Sequence, residues 1–189
     1  MTAARSPRPV PYDEFLVMEK ASDDRHEWVD GVVYGMSRGS PEHGRLTGRV
    51  MARMLEPLLE DGCEIFASDT PIFIEAARHH TYADASVVCG SLITRTAHDK
   101  NGQSIGEAIV NPTVVVEVLS DATERYDRDG KFDAYKKLAS LEEYVLVSQS
   151  ERRIEVRARE GDGWAIRVAK AGESIQVHGR PVAVDAIYA

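Results

Sequence analysis

Two apolar runs flank Asp30-Gly31 within residues 25–36. An Asp-Gly pair in that setting predicts a tight β-hairpin. Leu46, Val50, Met54 and Leu58 then recur every four residues, the stripe of a helix with one buried side. Ser40 is placed to cap this helix, Pro41 to open it and Gly62 to stop it. Residues 63–68, 71–74 and 84–89 read as strands. Residues 79–82 read as a loop leading into the last of these. The stretch 90–107 is polar, has three glycines and no period, and reads as a mobile loop. Residues 113–119 form a nearly unbroken β-branched run, the mark of a central strand buried on both faces. Asp127 is placed as the cap of a helix over 128–138. Strands at 144–147, 154–159 and 164–169 follow, the last two joined by Glu160-Gly161-Asp162-Gly163. Near the start, Pro11 opens a short helix with Phe15, Leu16 and Met18 as its apolar positions. Residues 1–11 read as a flexible tail and 12–189 as a single domain without internal repeats.

The 189 residues suit one domain with a sizeable core, 43% of them being hydrophobic. No apolar run is long enough for a membrane helix. The start of the chain has no apolar leader segment, so the expected location is cytoplasmic. The only cysteines, Cys63 and Cys89, lie in strand-like apolar runs and are expected as small buried thiols, neither a disulfide scaffold nor a zinc cluster. With 23 Lys+Arg against 31 Asp+Glu the net charge is −8. That opposes unspecific attraction to nucleic acid or anionic lipid. It leaves room for a local basic surface or an acidic metal site.

The candidate chemistry starts at Glu117, inside the apolar run Val114-Val115-Val116-Glu117-Val118-Leu119. A carboxylate buried there needs a cation, a hydrogen-bond network or a metal. Asp84 heads an apolar strand and could share a site with it or simply cap a turn. Glu27 lies on a hairpin strand, where solvent exposure is the competing reading. Lys131 shares a helix side with Tyr135 and Leu138 and can supply the counter-charge, as a structural ion pair or as a group that orients water. His43, on the buried side of its helix, reads as a core histidine ahead of a catalytic one. His79 and His80 read as solvated loop residues. With Asp84 and His43 they make a weaker alternative, a transition-metal hydrolase site. Arg45, Arg49 and Arg53 line one helix flank. Arg153, Arg157, Arg159 and Arg167 are expected to face outward, as a solvated row or as a holder of phosphates.

The segments His26-Glu27-Trp28-Val29-Asp30-Gly31, Ser40-Pro41-Glu42-His43-Gly44, Tyr82-Ala83-Asp84, Asn111-Pro112 followed by the Glu117 strand, and Lys131-Phe132-Asp133-Ala134-Tyr135 come in this order. Together they closely resemble the Uma2 family of restriction-endonuclease-like proteins, a branch of the PD-(D/E)XK nuclease superfamily. The resemblance implies an α/β fold, a mixed sheet flanked by helices. It implies Asp84 and Glu117 as ligands of Mg²⁺ or Mn²⁺, with Glu27 as a supporting acid and Lys131 as a lysine moved from strand to helix. The superfamily's usual lysine position, two after the glutamate, is Leu119 here, and its proline before the aspartate is Ala83. The expected function is metal-dependent hydrolysis of DNA, with weak, salt-sensitive DNA binding and a homodimer. The alternative is a nuclease fold kept only to bind nucleic acid or a protein partner.

Overall fold

The computed structural model describes residues 8–37 and 39–189. Helix α1 spans Tyr12–Lys20. Strands β1, His26–Val29, and β2, Val32–Gly35, form the predicted hairpin. Asp30 and Gly31 both take positive φ there, 46° and 89°, as the two-residue turn requires. Helix α2, Pro41–Arg49, is capped by Ser40, whose hydroxyl accepts from the His43 N–H at 3.1 Å. It runs on through a π-helical stretch, Val50–Leu55, and a 3₁₀ stretch, Glu56–Asp61. Gly62, in the left-handed conformation, ends it.

Strands β3, Cys63–Ala67, β4, Pro71–Ile74, β5, His79–Tyr82, and β6, Ala85–Cys89, follow. Next come β7, Thr94–His98, β8, Ser104–Ile109, and β9, Val114–Leu119. A second helical segment is built from α3, Glu124–Tyr126, a π-helical turn, Asp127–Lys131, and α4, Phe132–Tyr135. The chain ends with β10, Glu143–Ser148, β11, Arg153–Glu160, β12, Gly163–Lys170, the hairpin β13, Ser174–Val177, and β14, Arg180–Ala183, and helix α5, Val184–Tyr188.

These strands make two mixed six-stranded sheets and the separate hairpin, flanked by helices. The order is β2-β1-β5-β4-β8-β7 in one sheet and β12-β11-β10-β9-β6-β3 in the other. The chain passes from the first sheet to the second through Ala83-Asp84, between β5 and β6. In β9, Val114, Val116 and Val118 face a core completed by the α2 stripe Leu46, Val50, Met54 and Leu58. Val115 and Leu119 face the opposite core with Ala134 and Tyr135 of α4. Period-two alternation therefore puts Glu117 on the α4 side. A third core joins Phe15 and Leu16 of α1 to Trp28 and Phe73. Among the described residues no helix is long and apolar enough to cross a membrane.

Several expectations are corrected. Residues 79–82 are a buried strand, because their polar side chains find partners inside: Thr81 on Glu27, His79 on Tyr126 and His80 on Tyr12. Much of 90–107 is the hairpin β7–β8, fixed by backbone pairing and by the Thr94 hydroxyl on Glu107 at 2.7 Å. Met18 is exposed, unlike Phe15 and Leu16. Asp127 is a buried residue inside its helical segment, not a cap. Cys63 and Cys89 are directly opposed on β3 and β6 and joined as a disulfide, not free thiols. Closing a 26-residue separation stabilises the chain by on the order of 3 kcal/mol.

The expected outward arginine row is largely turned to internal use. Arg128, Arg153 and Arg157 converge on the buried Glu155 at 2.9, 2.8 and 2.9 Å. Arg159 donates to the carbonyls of Lys136, Leu138 and Leu141 and covers the Trp164 ring. Arg167 pairs with Glu143 at 3.1 Å. Of the predicted tail, residues 1–7 lie outside the described residues. Val10 is tied down, its N–H donating to Gly31 O and its carbonyl accepting from the Trp28 indole, both at 2.8 Å.

His80 yields a prediction for stability. Its Nδ1 meets the Tyr12 hydroxyl at 3.0 Å, while its buried Nε2 has no hydrogen-bond partner among the described residues. Burial, with the neighbouring His79, depresses its pKa from 6.5 to about 4. The unfolded chain therefore binds a proton that the folded chain refuses between those values. Stability should fall as pH drops from about 6.5 to about 4. Urea midpoints at neutral and mildly acidic pH should show a smaller drop for His80→Phe than for the wild type. An equal drop would mean that His80 does not contribute.

Candidate active site

Each predicted site residue comes from a different element. Glu27 lies on β1 in one sheet and Glu117 on β9 in the other. Asp84 stands in the crossing between the sheets, and Lys131 ends the π-helical turn that covers the Glu117 face of β9. All four line a cleft of about 660 Å³, with His43, Asp127, Arg25 and Ser120 also on its wall.

Lys131 is the hub. Its Nζ lies 3.0 Å from Tyr82 O, 3.1 Å from Glu117 Oε1, 3.3 Å from Glu27 Oε1 and 3.7 Å from Asp127 Oδ1. Glu27, Glu117 and Lys131 are 0%, 3% and 4% exposed. Ions so buried persist only when paired and hydrogen-bonded. The supporting shell supplies this. Thr81 donates to Glu27 Oε1, and Tyr126 donates to Glu27 Oε2 at 3.1 Å. The Tyr135 hydroxyl lies 3.4 Å from Glu117 Oε1.

Local chain geometry sets these distances. The Asp127–Lys131 turn is π-helical, a widened turn often found at functional sites. It directs both Asp127 and Lys131 inward. Gly130 belongs to the same device. A Cβ there would stand 2.8 Å from the Tyr126 ring, so the glycine lets Tyr126 lie close and reach Glu27.

Burial sets the charge balance. Burial pushes Glu27 up, but Lys131, with His79, Thr81 and Tyr126, outweighs it and holds its carboxyl below the ordinary value. Glu117 is driven well above that value by burial, only partly offset by Lys131, with Asp127 and Asp84 adding to the rise. Burial would lower Lys131, yet Glu117 and Glu27 keep it well above the usual lysine value. Asp127 is raised by burial despite Lys131. The ammonium is thus firmly charged, with Glu117 and Glu27 as its counter-ions.

Asp84 is held differently. Its Oδ2 accepts from the Val118 N–H at 2.6 Å and meets His43 Nε2 at 3.2 Å. His43 is therefore a partner of Asp84 at the cleft, and the expectation of a core histidine is corrected. Its own pKa is raised by the Asp84 hydrogen bond, which outweighs burial. His79 and His80 do not join it. They alternate on β5, and each is engaged by a tyrosine, so the expected transition-metal grouping with Asp84 is not assembled. Both are buried, not solvated.

Asp84 is engaged through Oδ2 and Glu117 through Oε1. Asp84 Oδ1 and Glu117 Oε2 remain as hard oxygen donors, a set that fits Mg²⁺ or Mn²⁺ with water completing the shell. Glu27 stands apart from that pair. Both its oxygens are taken by Thr81, Lys131 and Tyr126. Among the described residues Glu27, Asp84 and Glu117 do not bring three carboxylate oxygens within 4.8 Å of one another. Sequence reasoning missed Thr81, Tyr126 and Asp127. The spacing of Asp127, four before Lys131, was the available signal for one of them.

The sequence model of the Uma2 family, described as "Putative restriction endonuclease", matches residues 12–183. Two similar proteins come from Synechocystis sp. (strain ATCC 27184 / PCC 6803 / Kazusa). "Uncharacterized protein slr1290" is 34% identical over 179 residues, covering 93% of this chain and 90% of its own. "Uncharacterized protein sll1609" is 26% identical over 164 residues, covering 87% and 89%. A crystal structure of a putative nuclease belonging to DUF820 from Anabaena variabilis ATCC 29413 superposes with a TM-score of 0.71. It is 15% identical, and the match covers 95% of this chain and 98% of that one. This likeness establishes the fold.

Two substitutions test the hub. Lys131→Met removes the cation and leaves buried carboxylates without it, an expected loss of about 3–5 kcal/mol in urea unfolding. A loss below about 1 kcal/mol would mean that the carboxylates find other partners. Gly130→Ala should also destabilise, although alanine is the better helix former, because its methyl displaces Tyr126. Unchanged stability would contradict that packing.

Proposed function

The chain belongs to the Uma2 family, and from that membership and the cleft we propose a divalent-ion-dependent nuclease that hydrolyses DNA phosphodiester bonds. The observation that carries the reading is a buried Lys131 ion-paired with Glu117 and lining one cleft with Asp84, each of the two carboxylates having one oxygen outside the contacts given above.

In this reading Asp84 and Glu117 hold the ion, and Glu27 serves as the counter-charge that keeps Lys131 in place. A bound Mg²⁺ or Mn²⁺ supplies an acidified water and neutralises charge at the scissile phosphate. The Val118 N–H and His43 fix the Asp84 carboxylate in one orientation. The Lys131 ammonium adds positive potential on the cleft floor, where charge grows on the phosphate during attack. Arg25, on the cleft wall, and Arg49 and Arg53, on the α2 flank, offer phosphate contacts. With the 153–167 arginines engaged internally and a net charge of −8, DNA binding should be weak and strongly salt-dependent. Cutting both strands would call for two such sites, which a two-fold homodimer supplies.

A second reading has its own observation. The three N–H bonds of Lys131 already have partners in Tyr82 O, Glu117 and Glu27. An ammonium so saturated can serve as a structural pin in a protein that binds nucleic acid or another protein without cutting.

Plasmid, linear and single-stranded DNA incubated with Mg²⁺ or Mn²⁺ separates the two. Cleavage should fall roughly a hundredfold or more in Asp84→Ala and in Glu117→Gln, with folding checked by circular dichroism. DNA binding without cleavage of any form would select the second reading. Full activity in Glu117→Gln would remove the first.

A further inference from the structure

Cys63 and Cys89 do not line the cleft and lie on the α2 face of the second sheet. A third residue meets them there. His178 places Nε2 3.4 Å from Cys89 Sγ. The two sulfurs and a His178 nitrogen all lie within 4.8 Å of one another.

The histidine is held for this position. It is the first of two residues, His178-Gly179, that turn β13 into β14, and both have positive φ, 46° and 77°. Such turns take Asn, Asp or Gly at that point with the least strain. Histidine is, with Asn and Asp, among the side chains that enter this region more readily than most. Its surroundings fix the ring. The His178 N–H donates to Glu143 Oε2 at 2.7 Å, and Nδ1 meets Glu142 Oε2 at 3.4 Å. Arg180, just past the turn, is bidentate on Asp61 at 2.9 and 2.6 Å. Glu142 stands on the Nδ1 side of the ring and Nε2 on the sulfur side, so an imidazole protonated at Nδ1 would turn its lone pair to the sulfurs. A carboxylate on the far nitrogen is the usual support of a metal-bound imidazole.

We infer that, once its disulfide is reduced, the protein binds a zinc-class ion through Cys63, Cys89 and His178, with Glu142 orienting the imidazole. A dithiol reductant breaks the S–S bond. It gives two electrons and two protons to the sulfurs and closes to its own disulfide. Zn²⁺ then displaces the two thiol protons to solvent and forms two Zn–S bonds and one Zn–N bond. A water takes the fourth tetrahedral position. Zn–S bonds of roughly 2.3 Å set the sulfurs about 3.7 Å apart, a separation that side-chain rotation on two facing strands provides. Soft thiolates and imidazole select such an ion over Mg²⁺, which separates this site from the carboxylates of the cleft. The disulfide and the metal are alternatives, so one place staples the β13–β14 hairpin to the sheet in only one redox state.

Co²⁺ titration of the full chain, with and without prior reduction by a phosphine, tests this. The reduced protein should take one Co²⁺ per chain, with a thiolate charge-transfer band and the visible bands of a tetrahedral ion, and Zn²⁺ should displace it. The oxidised protein should show neither band. His178→Asn keeps a residue suited to the turn and should weaken binding at least tenfold, as should Glu142→Gln in the same direction by about tenfold. Absence of thiolate bands in the reduced wild type would overturn the inference. So would equal Co²⁺ affinity in His178→Asn.

Discussion

A buried ammonium at the seam between two sheets is the constraint on which the rest depends. Lys131 cannot be desolvated alone, so it must gather acceptors from every side. Glu27 comes from the first sheet, Glu117 from the second, and Tyr82 O from the strand that leads across. One cation therefore fixes the relation of the two sheets and the helical segment above them. The cleft is the open side of this junction. Its chemistry is a consequence of charges that folding already had to bring together.

What the sequence revealed follows from the same physics. The β9 run is apolar on both sides because each face meets its own core, and so Glu117 stood out as an anomaly. The α2 stripe and its cap needed only local rules. Strand β5 did not, since its histidines look like loop residues until Tyr12 and Tyr126, distant in sequence, arrive to satisfy them. Strand β7 is mostly exposed, and a strand without a buried face carries little alternation to read. The β13–β14 hairpin was absent from the sequence reading, although His178-Gly179 fills a turn like that of Asp30-Gly31. The disulfide was illegible because it depends on the β3–β6 register, which no local pattern specifies.

The arginines show how a surface motif can mislead. Period two correctly placed Ile154, Val156 and Ala158 in the core. The other face was assigned to solvent, yet helical residues cover part of it. Phe132 lies under Arg157, Arg128 reaches Glu155, and Tyr144 donates to Asp127 O. These contacts dock the segment that carries Lys131 onto the second sheet. Residues that looked available for phosphate instead position the hub.

This arrangement bears on how a protein of net charge −8 could serve a polyanion. Glu27 and Glu117 pair with Lys131 within the fold, and Glu155 draws in Arg128, Arg153 and Arg157. Much positive charge is thereby committed to architecture. What remains at the cleft is acidic, and under the proposed function a polyanion would be repelled from it until a divalent ion enters. Phosphate affinity should then depend on the ion more than on protein cations. In that reading the acidic balance would couple substrate binding to metal occupancy.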